Sequence, residues 1–266
     1  MNSSPSSENS GKINVMMRPD TQILYGIHPV TEVIAAGRRK VSRLYVSPRP
    51  SERIVRIAAQ AKSRHIPTET IPVDRLRSLA GTKSHQGICA RVGDFVFSDI
   101  NRLLTSAESG LTLVLDGLLD PRNIGALIRT AHCVGAIGVI LPKNRTASPT
   151  PAVSMVSAGA LEHIQLAQVT NISRILKQLK STGAWIAGLD PSAKQTIFEA
   201  DLSGPLVLVV GSEEKGIRPL VKENCDFLIS IPQQGRVDSL NVSVAGAVTM
   251  YEASRQQQAA KVKPGR

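Results

Sequence analysis

Residues 111–116 read LTLVLD, and residues 117–129 continue GLLDPRNIGALIR. The first segment is an apolar run closed by an aspartate. It does not alternate in polarity and is short for a buried helix, which is the pattern of a strand covered on both faces. In the second, Pro121 and Gly125 punctuate a turn, and Asn123 is placed to cap a helix beginning at Ile124. Ile124, Leu127, Ile128, Ala131 and Val134 form the apolar stripe of that helix. Arg129 falls off the stripe and is free to face a ligand. Such a strand–turn–helix unit builds parallel sheets.

The same signature recurs downstream. Apolar runs stand at Ala136–Leu141, Trp185–Leu189, Leu206–Val210 and Phe227–Ile231. Helical stretches intervene at Ile124–Val134, Pro151–Gly159, Ile172–Ser181 and Leu240–Ser254, the last with Leu240, Val244, Ala247, Val248 and Tyr251 as its apolar face. The fold class predicted for residues 111–255 is α/β: an open, mostly parallel sheet with helices on both faces. Ligands of such sheets bind beyond the carboxyl ends of the strands.

Upstream, residues 21–96 carry a second, small α/β pattern. Val30–Gly37 reads as a short helix stopped by glycine, and Val41–Val46 as a strand. Ser51 is placed to cap a helix with Ile54, Val55, Ala58, Ala59 and Ala61 as apolar positions. Thr68–Pro72 reads as extended, Val73–Leu79 as helical and Gly87–Val92 as a strand. Residues 97–110 read as a linker with a short helix. Residues 1–20 are Ser/Asn-rich without periodicity and are expected to be a disordered tail. Residues 256–266 are expected to be a frayed helix end and basic tail.

The net charge of +11 is unevenly placed. Residues 1–100 hold 15 Lys/Arg against 8 Asp/Glu, residues 101–254 hold 13 against 13, and the last twelve residues add four basic groups and no acid. A polyanionic partner is implied, nucleic acid before membrane, because no basic amphipathic helix stands out. Arg38, Arg39, Lys40 and Arg43 are the obvious phosphate contacts. No run approaches the length of a membrane helix, and no secretion signal opens the chain. A cytoplasmic location is expected. Cys89, Cys133 and Cys225 lie far apart and read as buried free thiols. The five histidines have no ligand spacing, so no metal is expected.

Three loops follow predicted strands: DGLLDPRNIGALIR at 116–129, GSEEKG at 211–216 and IPQQGRVDSLN at 231–241. Read singly, each has an ordinary structural explanation: a capped helix with a solvated arginine, a polar turn, and a loop ending at a helix capped by Ser239 or Asn241. Neither GxGxxG after the first strand nor a GxxxxGK[ST] loop is present, which disfavours the usual dinucleotide and triphosphate binders. Ser239 has no His and Asp partners at a spacing that would make it a protease-like nucleophile.

Read together, the segments PRNIGALIRTA, VVGSEEKGI and ISIPQQGRVDSLNVSVAGAV resemble the three ordered motifs of the SpoU (TrmH-like) branch of the SPOUT RNA methyltransferases, over about residues 111–254. The N-terminal YGIHPVTEVI and SHQGICARV resemble the substrate-binding domain of the RlmB-type ribosomal RNA 2′-O-methyltransferase subgroup. The resemblance implies a trefoil-knotted catalytic domain holding S-adenosylmethionine, an RNA-binding N-terminal domain, and a homodimer with the site near the subunit interface. It implies cofactor contacts from backbone groups of Gly211, Ile231 and Leu240. It also implies a catalytic cluster of Asn123, Arg129, Glu213, Ser239 and Asn241. The second motif commonly reads GSEG; Glu214 replaces its second glycine here, so Lys215–Gly216 are expected to supply the turn.

The implied reaction is methyl transfer to a ribose 2′-hydroxyl, with a guanosine of 23S ribosomal RNA as the expected substrate. Arg129 would hold the phosphate and the hydroxyl oxygen, or accept its proton. Transfer RNA, ribosomal RNA methylated for antibiotic resistance, and a non-catalytic ribosome-assembly role on the same fold are the alternatives. Five intact site residues argue against a pure binder.

Overall fold

In a computed structural model that describes residues 21–236 and 239–262, the N-terminal unit is a four-stranded sheet covered on both faces. Its elements are β1 (Gln22–Tyr25), α1 (Ile27–Ala36), β2 (Val41–Val46), α2 (Glu52–Ser63), β3 (Thr68–Thr70), α3 (Val73–Ala80) and β4 (Ile88–Val92), with strand order β1-β4-β2-β3. Helix α1 ends where Gly37 takes a left-handed conformation (φ 63°) and donates to the Val33 carbonyl. In α2, Ile54, Ile57 and Ala61 are buried, whereas Val55 and Ala59 are exposed. The buried stripe therefore follows the i, i+3, i+7 spacing, and Val55 lies about 100° off it. Ser51 precedes α2 but makes no side-chain cap bond.

The stretch expected as a linker is packed. It contains α4 (Ile100–Ser106), whose Leu103 is buried together with Ala107 on one face of the second sheet. Phe95 and Phe97 pack against the core on the other face.

The C-terminal unit contains β5 (Leu111–Asp116), α5 (Pro121–Cys133), β6 (Gly138–Pro142), α6 (Pro151–Val156), β7 (Gln165–Val169) and α7 (Ile172–Ser181). It continues through β8 (Trp185–Leu189), β9 (Leu206–Gly211), α8 (Pro219–Lys222), β10 (Phe227–Ile229) and α9 (Val242–Val262). The strand order is β10-β8-β9-β5-β6-β7, and every pairing in it is parallel. Along β5, Leu111, Leu113 and Leu115 enter one core with α5, α6 and α9, while Val114 enters the other with α7 and α4. Each fully buried leucine removes apolar area worth about 1.5–3 kcal/mol from water, so the central strands must be apolar on both faces.

Four expectations are corrected. Helix α5 begins at Pro121, and Asp120, not Asn123, is its cap, accepting from the Arg122 amide at 2.8 Å. Helix α9 extends to Val262, through much of the expected tail. Its buried face is Gly246, Thr249, Met250 and Ala253; of the predicted apolar face, Leu240, Val244, Val248 and Tyr251 are exposed and Ala247 is half-buried. Cys133 is exposed, whereas Cys89 is buried and Cys225 half-buried, and burial pushes the Cys89 thiol up to about 12 and the Cys225 thiol up to about 11. The expected tail at 1–20 and residues 263–266 lie outside the described residues.

The two units meet at the end of α1. Arg39 is buried and forms a two-pronged ion pair with Glu162, its Nε–H donating to Oε2 at 2.9 Å and its Nη2–H to Oε1. The Phe95 ring lies 5.2 Å from the guanidinium carbon. Arg38 donates to the Ile164 carbonyl at 2.7 Å and to Ser98 Oγ at 3.1 Å, and Glu32 lies 2.7 Å from His163 Nε2. Removing one partner of a buried pair such as Arg39–Glu162 costs about 3–5 kcal/mol, because the survivor is left charged and unpaired.

Candidate active site at the carboxyl edge of the sheet

The carboxyl ends of β8, β9 and β10 surround a cavity of about 660 Å³. Leu189, Val210, Ile231 and Ala245 give it an apolar floor, and Asp190, Ser192, Glu213 and Asn241 give it polar walls. Gly211, Ile231 and Leu240 all line it, as do Glu213 and Ser239. A mixed surface of this size suits a ligand with an aromatic base and a polar tail.

Gly211 is required by the chain itself. A Cβ there would collide with the backbone of Gly216 and Ile217, which folds back over the strand end. The fold-back is closed by paired backbone bonds between Ser212 and Gly216 at 2.9 and 3.1 Å. Gly216 takes the left-handed conformation (φ 60°), and Glu214 does not. Glu214 is thus accommodated without strain, since Gly216 supplies the left-handed residue of this turn. Asp116, buried at the end of β5, anchors the far side of this loop: it accepts from the Arg218 amide at 2.9 Å and from its Nε–H at 2.8 Å.

The three loops converge through amide side chains. Asn241 Nδ2–H donates to Asn123 Oδ1 at 3.1 Å, and Asn123 Nδ2–H donates to the Glu213 carboxylate. Asn241 also caps α9, its Oδ1 accepting from the Ser243 amide at 2.9 Å and the Ser243 hydroxyl at 2.6 Å. Asn241, not Ser239, is therefore the capping residue, and Ser239 remains exposed on the cavity wall. Asn123 lies in the first turn of α5, where its amide faces the other two loops.

Arg129 does not join this cluster. It is exposed and makes no hydrogen bond or ion pair among the described residues. Six residues beyond Asn123, it points roughly 240° round the helix. The N-terminal basic cluster also departs from expectation. Arg39 and Arg38 are committed to the junction between the units, and Arg43 pairs with Glu69 at 2.9 Å, so that of the four only Lys40 is free among the described residues. Arg49, Arg53, Lys62, Arg77 and Lys83 are instead exposed without an acidic partner among the described residues.

Sequence reasoning missed Asp190 and Ser192. The Asp190 carboxylate accepts from the Ser192 hydroxyl at 2.6 Å and pairs with Lys222 at 2.5 Å. Burial works against its ionisation, but Lys222 and Ser192 outweigh that, and its pKa is held below the ordinary value. The signal was its place, directly after the β8 run. Among the described residues no cluster of His, Cys, Asp and Glu could hold a metal, and no helix is long and apolar enough to cross a membrane.

Comparison with known proteins fits this arrangement. Residues 110–251 match the SpoU rRNA Methylase family, and residues 23–95 match the RNA 2′-O ribose methyltransferase substrate binding family. The 23S rRNA (guanosine-2′-O-)-methyltransferase RlmB of Ralstonia nicotianae is 38% identical over 249 residues, covering 91% of this chain and 99% of its own. Its counterpart from Pseudomonas putida is 41% identical, covering 88% and 96%. The solved SpoU methyltransferase AviRb from Streptomyces viridochromogenes, in complex with AdoMet, shares the fold with a TM-score of 0.78 at 23% identity over 94% of this chain and 95% of that one. The chain belongs to the SpoU rRNA methylase family, with the family's substrate-binding domain at its N-terminus.

Proposed function

We propose that this chain transfers a methyl group from S-adenosylmethionine to the 2′-hydroxyl of a guanosine in 23S ribosomal RNA. The observation that carries the reading is the Asn241–Asn123–Glu213 chain of side chains at the cavity rim, where three separate loops meet. The residues fit the cofactor: the apolar floor suits an adenine ring, and Glu213 and Glu214, without a cationic partner among the described residues, would put negative charge near a cationic sulfonium. When bound, the cofactor supplies an electrophilic methyl group. Gly211, Ile231 and Leu240, which line the cavity, would hold it mainly through backbone groups.

The protein's own task is to orient a weak nucleophile and stabilise the charge that develops on it. Asn123 and Asn241 fix one another and present an amide edge to the ribose. Glu213 holds Asn123, and Ser239 is placed to donate to the phosphate or the hydroxyl. Arg129 acts on the RNA phosphate and the 2′-oxygen, and the proton lost from the hydroxyl as the methyl group arrives passes to solvent water.

The reading extends to a homodimer. The exposed stripe Leu240, Val244, Val248 and Tyr251, with Phe198 beside it, supports this: it is an apolar face at helical spacing, on the side of α9 turned away from α5, with nothing covering it in one chain among the described residues. In that reading the site is completed across the interface by Arg129 of the partner subunit, since this chain's own Arg129 does not join the Asn241–Asn123–Glu213 cluster. A trefoil knot is part of the reading, supported by the fold-back of residues 211–217 over β9 and by the family membership. A cytoplasmic location follows from the substrate.

The test is incubation with radiolabelled S-adenosylmethionine and ribosomal RNA from a strain lacking the gene, with the modified ribose mapped. Label appearing in a 23S guanosine supports the reading. Label confined to transfer RNA replaces the substrate, and no transfer to any RNA removes the activity.

A further inference from the structure

We propose that the buried Arg39–Glu162 pair is a positioning device for catalysis, fixing α5 relative to the RNA-binding unit. The inference rests on the methyl-transfer reading and goes beyond it by giving the domain junction a part in the reaction. Apolar side chains of equal volume would join the two units at least as stably as a buried ion pair. What an arginine–carboxylate fork adds is a fixed relative orientation.

The path from the fork to the site is short. Glu162 also accepts from the Ser154 hydroxyl of α6 at 3.3 Å, so the carboxylate ties the N-terminal unit to that helix. Gly159, between them, is left-handed (φ 84°), and a Cβ there would stand 2.6 Å from Glu32 Cβ of α1. Helix α6 then packs on α5 at Gly125, where a Cβ would come 2.7 Å from Val156 Cβ and 3.0 Å from the Val153 carbonyl oxygen. Gly125 lies on α5 between Asn123 and Arg129, one turn before the arginine. On its other side α5 is held by α9, where Leu127 fills the space a side chain at Gly246 would need. Such close-packed contacts transmit small displacements, since interiors have few voids to absorb them. A shift of the RNA-bound unit is therefore carried to Asn123 and Arg129, the two α5 side chains assigned to the reaction.

The test compares the double variant Arg39→Met/Glu162→Met with wild type. The apolar replacement removes the fork without leaving a buried charge, and the melting temperature should stay within about 2–4 °C of wild type. RNA and cofactor dissociation constants should change by less than about twofold, because neither cavity nor exposed basic surface is touched. Amide hydrogen exchange in residues 122–133 should accelerate, with α7 unchanged, and the single-turnover methylation rate should fall about tenfold to a hundredfold. Wild-type exchange in α5 together with a wild-type rate would overturn the proposal and leave the pair as mere adhesion. Should the double variant not fold, Arg39→Lys keeps the buried charge pair and removes the two-pronged fork. It should slow single turnover in the same direction, and unaltered kinetics in that folded variant would be equally fatal. If wild type transfers no methyl group, the proposed function fails, and the α5 exchange comparison still decides whether the pair positions that helix.

Discussion

The basic strip at residues 38–43 and the motif cluster at the carboxyl edge of the sheet look alike in sequence, since both concentrate side chains able to bind RNA. In the fold they are opposites. Arg39 is buried with its donors committed to Glu162, Arg38 reaches backbone carbonyls of the other unit, and Arg43 is paired with Glu69. Around the cavity, Glu213, Ser239 and Asn241 are exposed, and Arg129, apart from that cluster on α5, is exposed without a partner among the described residues. A charge seeks a ligand only when the fold has left it without a counter-ion. Sequence reports the charge and not the counter-ion.

Breaking this contrast should begin at its extreme. Arg129→Ala should lower single-turnover methylation roughly a hundredfold or more while leaving cofactor affinity unchanged by calorimetry. A near-wild-type rate would end its assignment. Gly211→Ala should come next, because its methyl group meets backbone that cannot swing away. The expected result is loss of cofactor binding and about 1–3 kcal/mol of stability, read by titration and chemical denaturation. Asn241→Ala removes both the link to Asn123 and the cap of α9. It should cost about 1 kcal/mol in stability and slow methylation about tenfold, while Asn241→Asp restores the cap but not the donor to Asn123. Stability recovering without the rate would separate the two roles.

The smallest effects lie on the basic surface. Arg49→Ala/Arg53→Ala should flatten the salt dependence of RNA binding by roughly 0.7–0.9 for each phosphate no longer neutralised. Arg43→Ala should leave that slope alone and change stability by less than about 1 kcal/mol, as exposed pairs do. The reverse outcome would return the 38–43 strip to the RNA interface.

Legibility in the sequence follows burial. The runs at 111–116 and 185–189 correspond to β5 and β8 without displacement, because a strand covered on both faces is mostly apolar along its length. The two strands the pattern does not mark, β1 and β7, both lie at sheet edges, where QILY and QLAQV carry polar residues that a central strand would not tolerate. The apolar stripe of α9 is legible as apolar but is not core, since periodicity shows that a face is apolar without saying what covers it. Within the candidate site, residue type and order are enough to identify the three loops. Asp190 and Asp116 escape such a reading because each looks like the polar end of a strand.

The sequence by itself determined the layered α/β architecture, the position of the three loops and the family, since these rest on local periodicity and on ordered motifs. Only the tertiary structure decided that Asn123 faces Glu213 and Asn241 rather than capping its helix, that Gly216 rather than Lys215 takes the left-handed conformation, and that Arg39 bolts two units together. Those outcomes depend on which groups far apart along the chain become neighbours, and pairing across such distances is set by packing and counter-ions, which no local pattern records.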